Sequence, residues 1–222
     1  MVRVAAAVLG LAAAGEALAA AGWVDFAAGG ATITDARGRS RAAAKGDDVD
    51  PGDTLRTGVG GRVQIHFTDG AYVSLQPGSE FAVKDYNFEG RTDGSERGFF
   101  SLARGAMRAV TGLIGRVNRN RYQIATPTAT IGIRGTGIYI EAEASRTYAC
   151  TCYGEAELAS RDDPSAREVV RTKHHESPRY VMAGGAPQML MQAPVQNHTD
   201  AELTMLESLV GRRPPFTPDQ KY

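Results

Sequence analysis

The sequence predicts an all-β protein, and three observations carry that prediction. Val63, Ile65 and Phe67 alternate with Arg62, Gln64 and His66, the period-two pattern of a strand buried on one face. Glycine-bearing turns break the apolar runs every several residues: Thr68-Asp69-Gly70 ends this run, and Pro77-Gly78-Ser79 ends the next, in which Val73 and Leu75 share a face. A third run, Glu80 to Phe88, follows with Phe81 and Val83 on its apolar side, so the stretch from Arg62 to Phe88 leaves no room for a crossover helix. The 26 glycines and 10 prolines of the chain likewise favour tight turns over long helices.

In chain order, Trp23 to Thr34 reads as a first hairpin, WVDF and ATIT about Ala-Ala-Gly-Gly. Asp35 to Asp50 is polar and reads as loop with a short strand, and Asn87 to Arg97, rich in Gly, Asp, Ser and Arg, as a surface excursion. Phe99 to Leu113 offers Leu102, Met107 and Val110 as a helical stripe, but Gly105 interrupts it and Val110-Thr111 is β-branched, so strand is the better assignment. Tyr122 to Ala125 and Ala129 to Ile133 are strands separated by Pro127, and Ile138 to Ala144 resumes the alternation after Gly135 and Gly137. Arg146 to Ser160 reads as a hairpin turning at Tyr153-Gly154-Glu155, and Glu168 to Thr172 and Arg179 to Met182 as two last strands around the loop KHHESP. Gly184 to Gln196 is linker-like. Thr199 with Glu202 forms a capping box, followed by Leu203, Leu206, Leu209 and Val210 on one face of a short amphipathic helix that Gly211 and Pro214-Pro215 stop. A helix of about three turns is too short to be stable alone, so docking on the β body is expected.

GDTLRTG, RVQIHFTDG, RGAMRAVTGLIG and TPTATIGIRGTG, spaced in that order from Asp53 to about Tyr139, resemble the FecR domain, the periplasmic sensing module of iron-uptake regulators. The resemblance implies a solenoid-like stack of short strands without catalytic machinery. Regulators of that family also carry a cytoplasmic anti-sigma segment and a membrane span ahead of the domain, and neither is read in this chain. The organisation expected is a signal peptide over 1–21, a FecR-like β domain over 22–183, and a linker with the C-terminal helix over 184–222.

At 222 residues, with Lys+Arg 25 against Asp+Glu 25, the chain suits one domain with an appendage and gives no reason to expect nucleic acid or acidic lipid as a partner. Arg104, Arg108, Arg116, Arg119 and Arg121 make a local basic cluster, read as solvated strand-face and turn residues. Arg3, the apolar run Val4 to Ala14 and Ala17-Leu18-Ala19 fit a signal peptide; the run is too short for a bilayer span, which predicts export to the periplasm of a protein that does not cross the membrane.

Cys150 and Cys152 are the whole thiol inventory and, at i and i+2, face one side of a strand. Their α-carbons would lie about 6.5–7 Å apart, at the upper limit for a disulfide. Two thiolates on one face suit zinc or iron, and His174-His175 supply a complement that makes a four-ligand N/S set, provided that their segment is irregular enough for neighbouring residues to converge. If only one histidine reaches, Asp162, Asp163 or His198 can complete the set; His198 otherwise reads as a residue at the helix entrance, and His66 as a solvent-facing strand residue. A redox-labile disulfide and buried thiols that serve only packing remain open. GIRGTG sits between strands and fails the context of a phosphate loop. No nucleophile motif frames the serines, so no enzyme is expected. The function expected is an exported binding or signalling module for a protein partner in the cell envelope, with a Cys/His metal site. The alternatives are a periplasmic thiol redox sensor using Cys150 and Cys152, and an iron-regulation relay acting through a separate membrane regulator.

Overall fold

The computed structural model describes residues 19–217 apart from 92, 119 and 185–188, so the signal peptide, read mainly from 1–18, lies outside the described residues. The strands are β1 (Gly22–Ala28), β2 (Thr32–Thr34), β3 (Ser40–Ala42), β4 (Asp48–Val49), β5 (Thr54–Arg56), β6 (Arg62–Phe67), β7 (Tyr72–Leu75), β8 (Glu80–Asn87) and β9 (Arg97–Val110). After the one-turn helix α1 (Leu113–Val117) come β10 (Tyr122–Ala125), β11 (Ala129–Ile133), β12 (Gly137–Ala142), β13 (Arg146–Ser160), β14 (Arg167–Thr172), β15 (Arg179–Met182) and β16 (Leu190–Gln192), and α2 (Asp200–Leu209) closes the series. The all-β class holds.

The pairing resolves into two sheets. A front sheet runs β4-β1-β6-β7-β9-β12-β13-β15-β16, and a back sheet runs β3-β2-β5-β8-β9-β10-β11-β13-β14. Two strands belong to both. Residues 97–101 of β9 pair with β10 and β8 at the back, and residues 105–110 pair with β12 at the front. β13 does the same, its first half lying against β12 and β15, its second against β11 and β14. The five strands β9, β10, β11, β13 and β12 thereby close into a ring. This differs from the expected solenoid-like stack. A solenoid lays successive coils in parallel ladders, whereas β9 with β10 is the one parallel pair among the described strands.

The inward faces of both sheets build one core. Val63, Ile65 and Phe67 at the front meet Phe81, Val83 and Phe100 at the back, with Phe67 edge-on to Phe100 at 5.1 Å between ring centroids. The alternation read from the sequence is thus the alternation of burial. Several turn assignments are corrected. β1 and β2 do not form a hairpin: Gly29 and Gly30, at φ 69° and 81°, send the chain from the front sheet to the back one. Nor does Arg146 to Ser160 turn at Gly154. It is one strand, and Gly154 at φ 88° bends it between sheets at a place where a Cβ would stand 2.6 Å from the Gly135 carbonyl oxygen. Part of the expected linker is strand β16, and α1 is a helix that the sequence reading did not anticipate.

The outward face of the front sheet carries a second apolar cluster: Tyr72, Val110, Tyr139, Tyr148, Cys150 and Cys152, closed over by Leu203 and Leu206 of α2. Both leucines are fully buried, and burial of each is worth about 1.5–3 kcal/mol. Thr199 caps the helix by accepting the Glu202 amide at 3.4 Å, the first half of the capping box, while the Glu202 carboxylate turns to Gln76 and Arg108. Leu209, expected on the buried face, is exposed. Among the described residues no helix is long and apolar enough to cross a membrane.

A candidate Cys/His metal centre under the terminal helix

β13 presents Tyr148, Cys150 and Cys152 outward, while Ala149 joins the inner core. The register with β12 steps from Ile138–Thr151 to Gly137–Tyr153, which leaves Cys152 as the extra residue of a β-bulge. A bulge re-aims side chains, and both Cys152 and Tyr153 join the outer cluster. Both cysteines are fully buried free thiols.

The loop between β14 and β15 lies along this strand because the His175 amide donates to the Cys152 carbonyl oxygen at 3.0 Å. His175 has φ 57°. This left-handed backbone is the irregularity that two adjacent histidines require, and it turns their rings to an interplanar angle of 68°. The arm ahead of α2 supplies the remainder: Asn197, at φ 58°, directs His198 beneath the helix, where its ring stacks on Tyr139 at 4.5 Å. His175 and Asn197 are the non-glycine residues with positive φ among those described, and strained backbone of this kind clusters at functional sites.

One ligand atom from each of Cys150, Cys152, His175 and His198 lies within 4.8 Å of all the others. His175 Nδ1 is 3.2 Å from Cys150 Sγ and 3.0 Å from His198 Nε2. A tetrahedral ion with bonds of about 2.0 Å to nitrogen and 2.3 Å to sulfur sets its ligand atoms roughly 3.3–3.8 Å apart. The two spacings at His175 Nδ1 are thus about 0.3 Å short of such a shell, and the other pairs lie within 4.8 Å. His174 does not join them. It turns to Asp200, whose Oδ2 lies 2.9 Å from His174 Nε2 and whose Oδ1 lies 3.0 Å from His175 Nε2. The expected set of Cys150, Cys152, His174 and His175 is thus brought together except for His174, and His198 stands in its place.

The outer hydrogen bonds fix the ring tautomers. A carboxylate and a carbonyl can only accept, so His175 donates through Nε2 to Asp200 and His198 donates through Nδ1 to the Gln196 carbonyl oxygen. The neutral rings then turn unprotonated His175 Nδ1 and His198 Nε2 towards each other and the sulfurs, as in carboxylate–histidine–metal arrangements. Burial pushes the Cys150 thiol well up, and the neighbouring Cys152 sulfur adds to it. Burial opposes ionisation of Cys152 too, but the hydrogen bond from Cys150 and the charge of Arg108 hold it well below the ordinary thiol range. A thiolate is the form that binds metal.

Arg108 departs from the solvated basic cluster expected of it. It is fully buried, donates to the Thr199 carbonyl oxygen at 2.8 Å and lies 3.6 Å from Glu202. Arg119 lies outside the described residues. His66, half-buried on the outer face, packs against Trp23 with ring centroids 4.6 Å apart and planes tilted by 37°. Asp162 and Asp163 stay in their own loop, with Asp162 accepting the Gly184 amide and Asp163 turning on Ser165. Neither His198 nor Arg108 carries a local signal of its role, since each depends on where the terminal arm lands on the sheet.

A family model described as FecR protein matches residues 53–174, more than half of the chain. The match runs past Tyr139 and takes in both cysteines and His174. A solved structure of a candidate anti-sigma factor from Parabacteroides distasonis ATCC 8503 is similar at TM-score 0.50 and 14% identity, covering 69% of this chain and 64% of that one. The chain thus spans less than two thirds of that structure, and the likeness is one of fold. A second structure with the same description gives TM-score 0.49 at 13% identity, covering 76% of this chain and 81% of that chain. A structure described as a cell surface anchoring domain is 33% identical over 28% of this chain and 80% of its own, at TM-score 0.27. No curated protein matches the chain.

Proposed function

The chain belongs to the FecR protein family, and from that premise we propose that it is an exported regulatory module that recognises a protein partner in the cell envelope and holds a divalent metal ion. The family and the fold shared with anti-sigma-factor candidates support a signalling role rather than a catalytic one. Export to the periplasm rests on the leader-like run from Val4 to Ala14. The solenoid-like reading has no support in the pairing and is not part of the proposal.

The observation that carries the metal reading is the convergence of four buried donors with their tautomers already set by Asp200 and Gln196. The proposed ligands are Cys150, Cys152, His175 and His198, with His174 and Asp200 as outer supports. Two thiolates and two neutral imidazoles suit zinc over iron, because zinc accepts a closed tetrahedral N/S shell and carries no redox chemistry to protect. Two thiolates against a divalent ion also make a neutral complex, which suits a buried site. Thiol–disulfide exchange is less well supported, since both sulfurs are fully buried and exchange requires access.

Elemental analysis of the purified mature protein tests the metal. About one equivalent of zinc is expected in the wild type and well under a tenth in the double variant Cys150→Ala, Cys152→Ala. Metal content unchanged by that double substitution would refute the ligand set. Capture of envelope proteins on the wild-type chain tests the partner, and recovery of no envelope protein would count against it.

A further inference from the structure

We propose that the metal acts as a clasp: resting on the metal reading above, its binding decides whether the arm over residues 193–217 lies on the front sheet, and so whether the sheet's outer face is open to an acidic amphipathic helix of a partner.

The ligands divide unevenly along the chain. Cys150 and Cys152 sit on β13, and His175 is tied to β13 by the hydrogen bond its backbone amide donates to the Cys152 carbonyl oxygen, so three ligands belong to the body. His198 alone comes from the arm, next to the helix cap Thr199. Asp200, the first residue of α2, reaches back to His174 and His175. Metal binding therefore closes a covalent-like bridge between body and arm at the point where the helix begins.

The rest of the arm is held at points along its length: Tyr148 donates to the Pro194 carbonyl oxygen at 3.0 Å, Gln196 and Asn197 donate to Glu141 at 3.1 and 2.8 Å, Arg212 donates to the Thr111 carbonyl oxygen at 2.7 Å, and the Phe216 ring lies 4.1 Å from that of His174. α2 spans ten residues, below the length at which a helix persists in water. It is kept on the sheet by Leu203 and Leu206, by Gln76 Nε2 donating to Glu202 at 2.7 Å, by Arg108 donating to Thr199, and by the Tyr153–Glu207 hydrogen bond. A ligand that fixes one end of so short an element changes the population of its docked state.

The face beneath is built for this kind of occupant. Tyr72, Val110, Tyr139 and Tyr148 line it from four adjacent strands, and buried Arg108 and half-buried Gln76 both meet the Glu202 carboxylate. An uncovered face of that composition is the type that marks a protein interface, and a helix with leucines at i and i+3 and flanking glutamates is the complement α2 itself displays.

The test uses the full mature chain loaded with Co²⁺, whose thiolate bands report the site, with hydrogen exchange of amides 203–212 reporting the arm. Removal of Co²⁺ by a chelator should raise arm exchange about tenfold, within the range usual for coupled sites, while amides of β6 and β7 stay unchanged. His198→Ala should give fast arm exchange even with Co²⁺ present, and body amides still protected in that variant show that it folds. Loss of the Co²⁺ bands with no change in arm exchange overturns the clasp and leaves the metal reading standing. Arm and β6 amides released together overturn the clasp as a selective device, because the metal then holds the whole fold. Absence of thiolate bands at any Co²⁺ concentration overturns both.

Discussion

Gly154→Ala probes the bend that places the cysteines in one sheet and the rest of β13 in the other. Gly154 has φ 88°, and an added Cβ would lie 2.6 Å from the Gly135 carbonyl oxygen and 3.0 Å from Thr136 Cβ. A left-handed backbone costs an L residue about 1–2 kcal/mol, and forcing backbone apart in a packed region adds about 1–3 kcal/mol. The expected loss is thus about 2–5 kcal/mol. Gly38→Ala isolates the first contribution, since Gly38 has φ 81° and nothing within 4 Å of the added atom. Urea unfolding of both variants and the wild type, with chelator present throughout, gives the comparison as shifts in midpoint at constant slope. Gly154→Ala should lie about 1–3 kcal/mol below Gly38→Ala. If the two variants agree to within about 0.5 kcal/mol, the close approach of β13 to the Gly135 turn is refuted, and with it the account of how the strand changes sheets.

Two further outcomes follow from buried carboxylates. Asp200→Asn should weaken zinc affinity about 10–100-fold in competition with a chromophoric chelator, with His174→Ala weaker in effect because His174 is not among the proposed ligands and its Nε2 meets Asp200 rather than the metal; unchanged affinity in Asp200→Asn would remove the outer support. Asp69 accepts the amides of Ala71 at 3.0 Å and Ile114 at 3.2 Å, and Asp69→Ala should cost about 1–3 kcal/mol near neutral pH by orphaning them. Burial raises its carboxyl above the ordinary 3.8, with those amides offsetting part of the rise. The folded state therefore holds this proton more tightly than the unfolded one. That contribution is complete below 3.8 and is lost as pH rises through the folded value, so the substitution should cost more at acid pH than at neutral pH. The opposite trend in unfolding midpoints would contradict the sign.

What the sequence made legible was local. Alternation at Val63, Ile65 and Phe67 named the core face because a pleat leaves no other way to bury three side chains two apart. The i, i+2 spacing put Cys150 and Cys152 on one side, and Thr199 with Glu202 marked the helix start for an equally local reason. Period two does not say which strand becomes a neighbour, so β1 and β2 looked like a hairpin although they pair in different sheets. Gly154 looked like a turn because a positive φ serves a bend within a strand as well as a reversal. His198 reads in the sequence as a helix-entrance residue or a substitute ligand, and Arg108 as a solvated surface residue, because both roles are set by where an arm far along the chain meets β9 and the His175 loop.

Because β9 and β13 each pass from front to back, the two layers are stitched by continuous backbone along two lines. Layers held by side-chain packing alone can slip by a residue; here a slip at the front would drag the ladder behind it. Movement at the sulfurs reaches the rear layer within the few residues from Cys152 to Ala156. The stitching runs through the middle of the frame, and the brief terminal helix lies on it from outside.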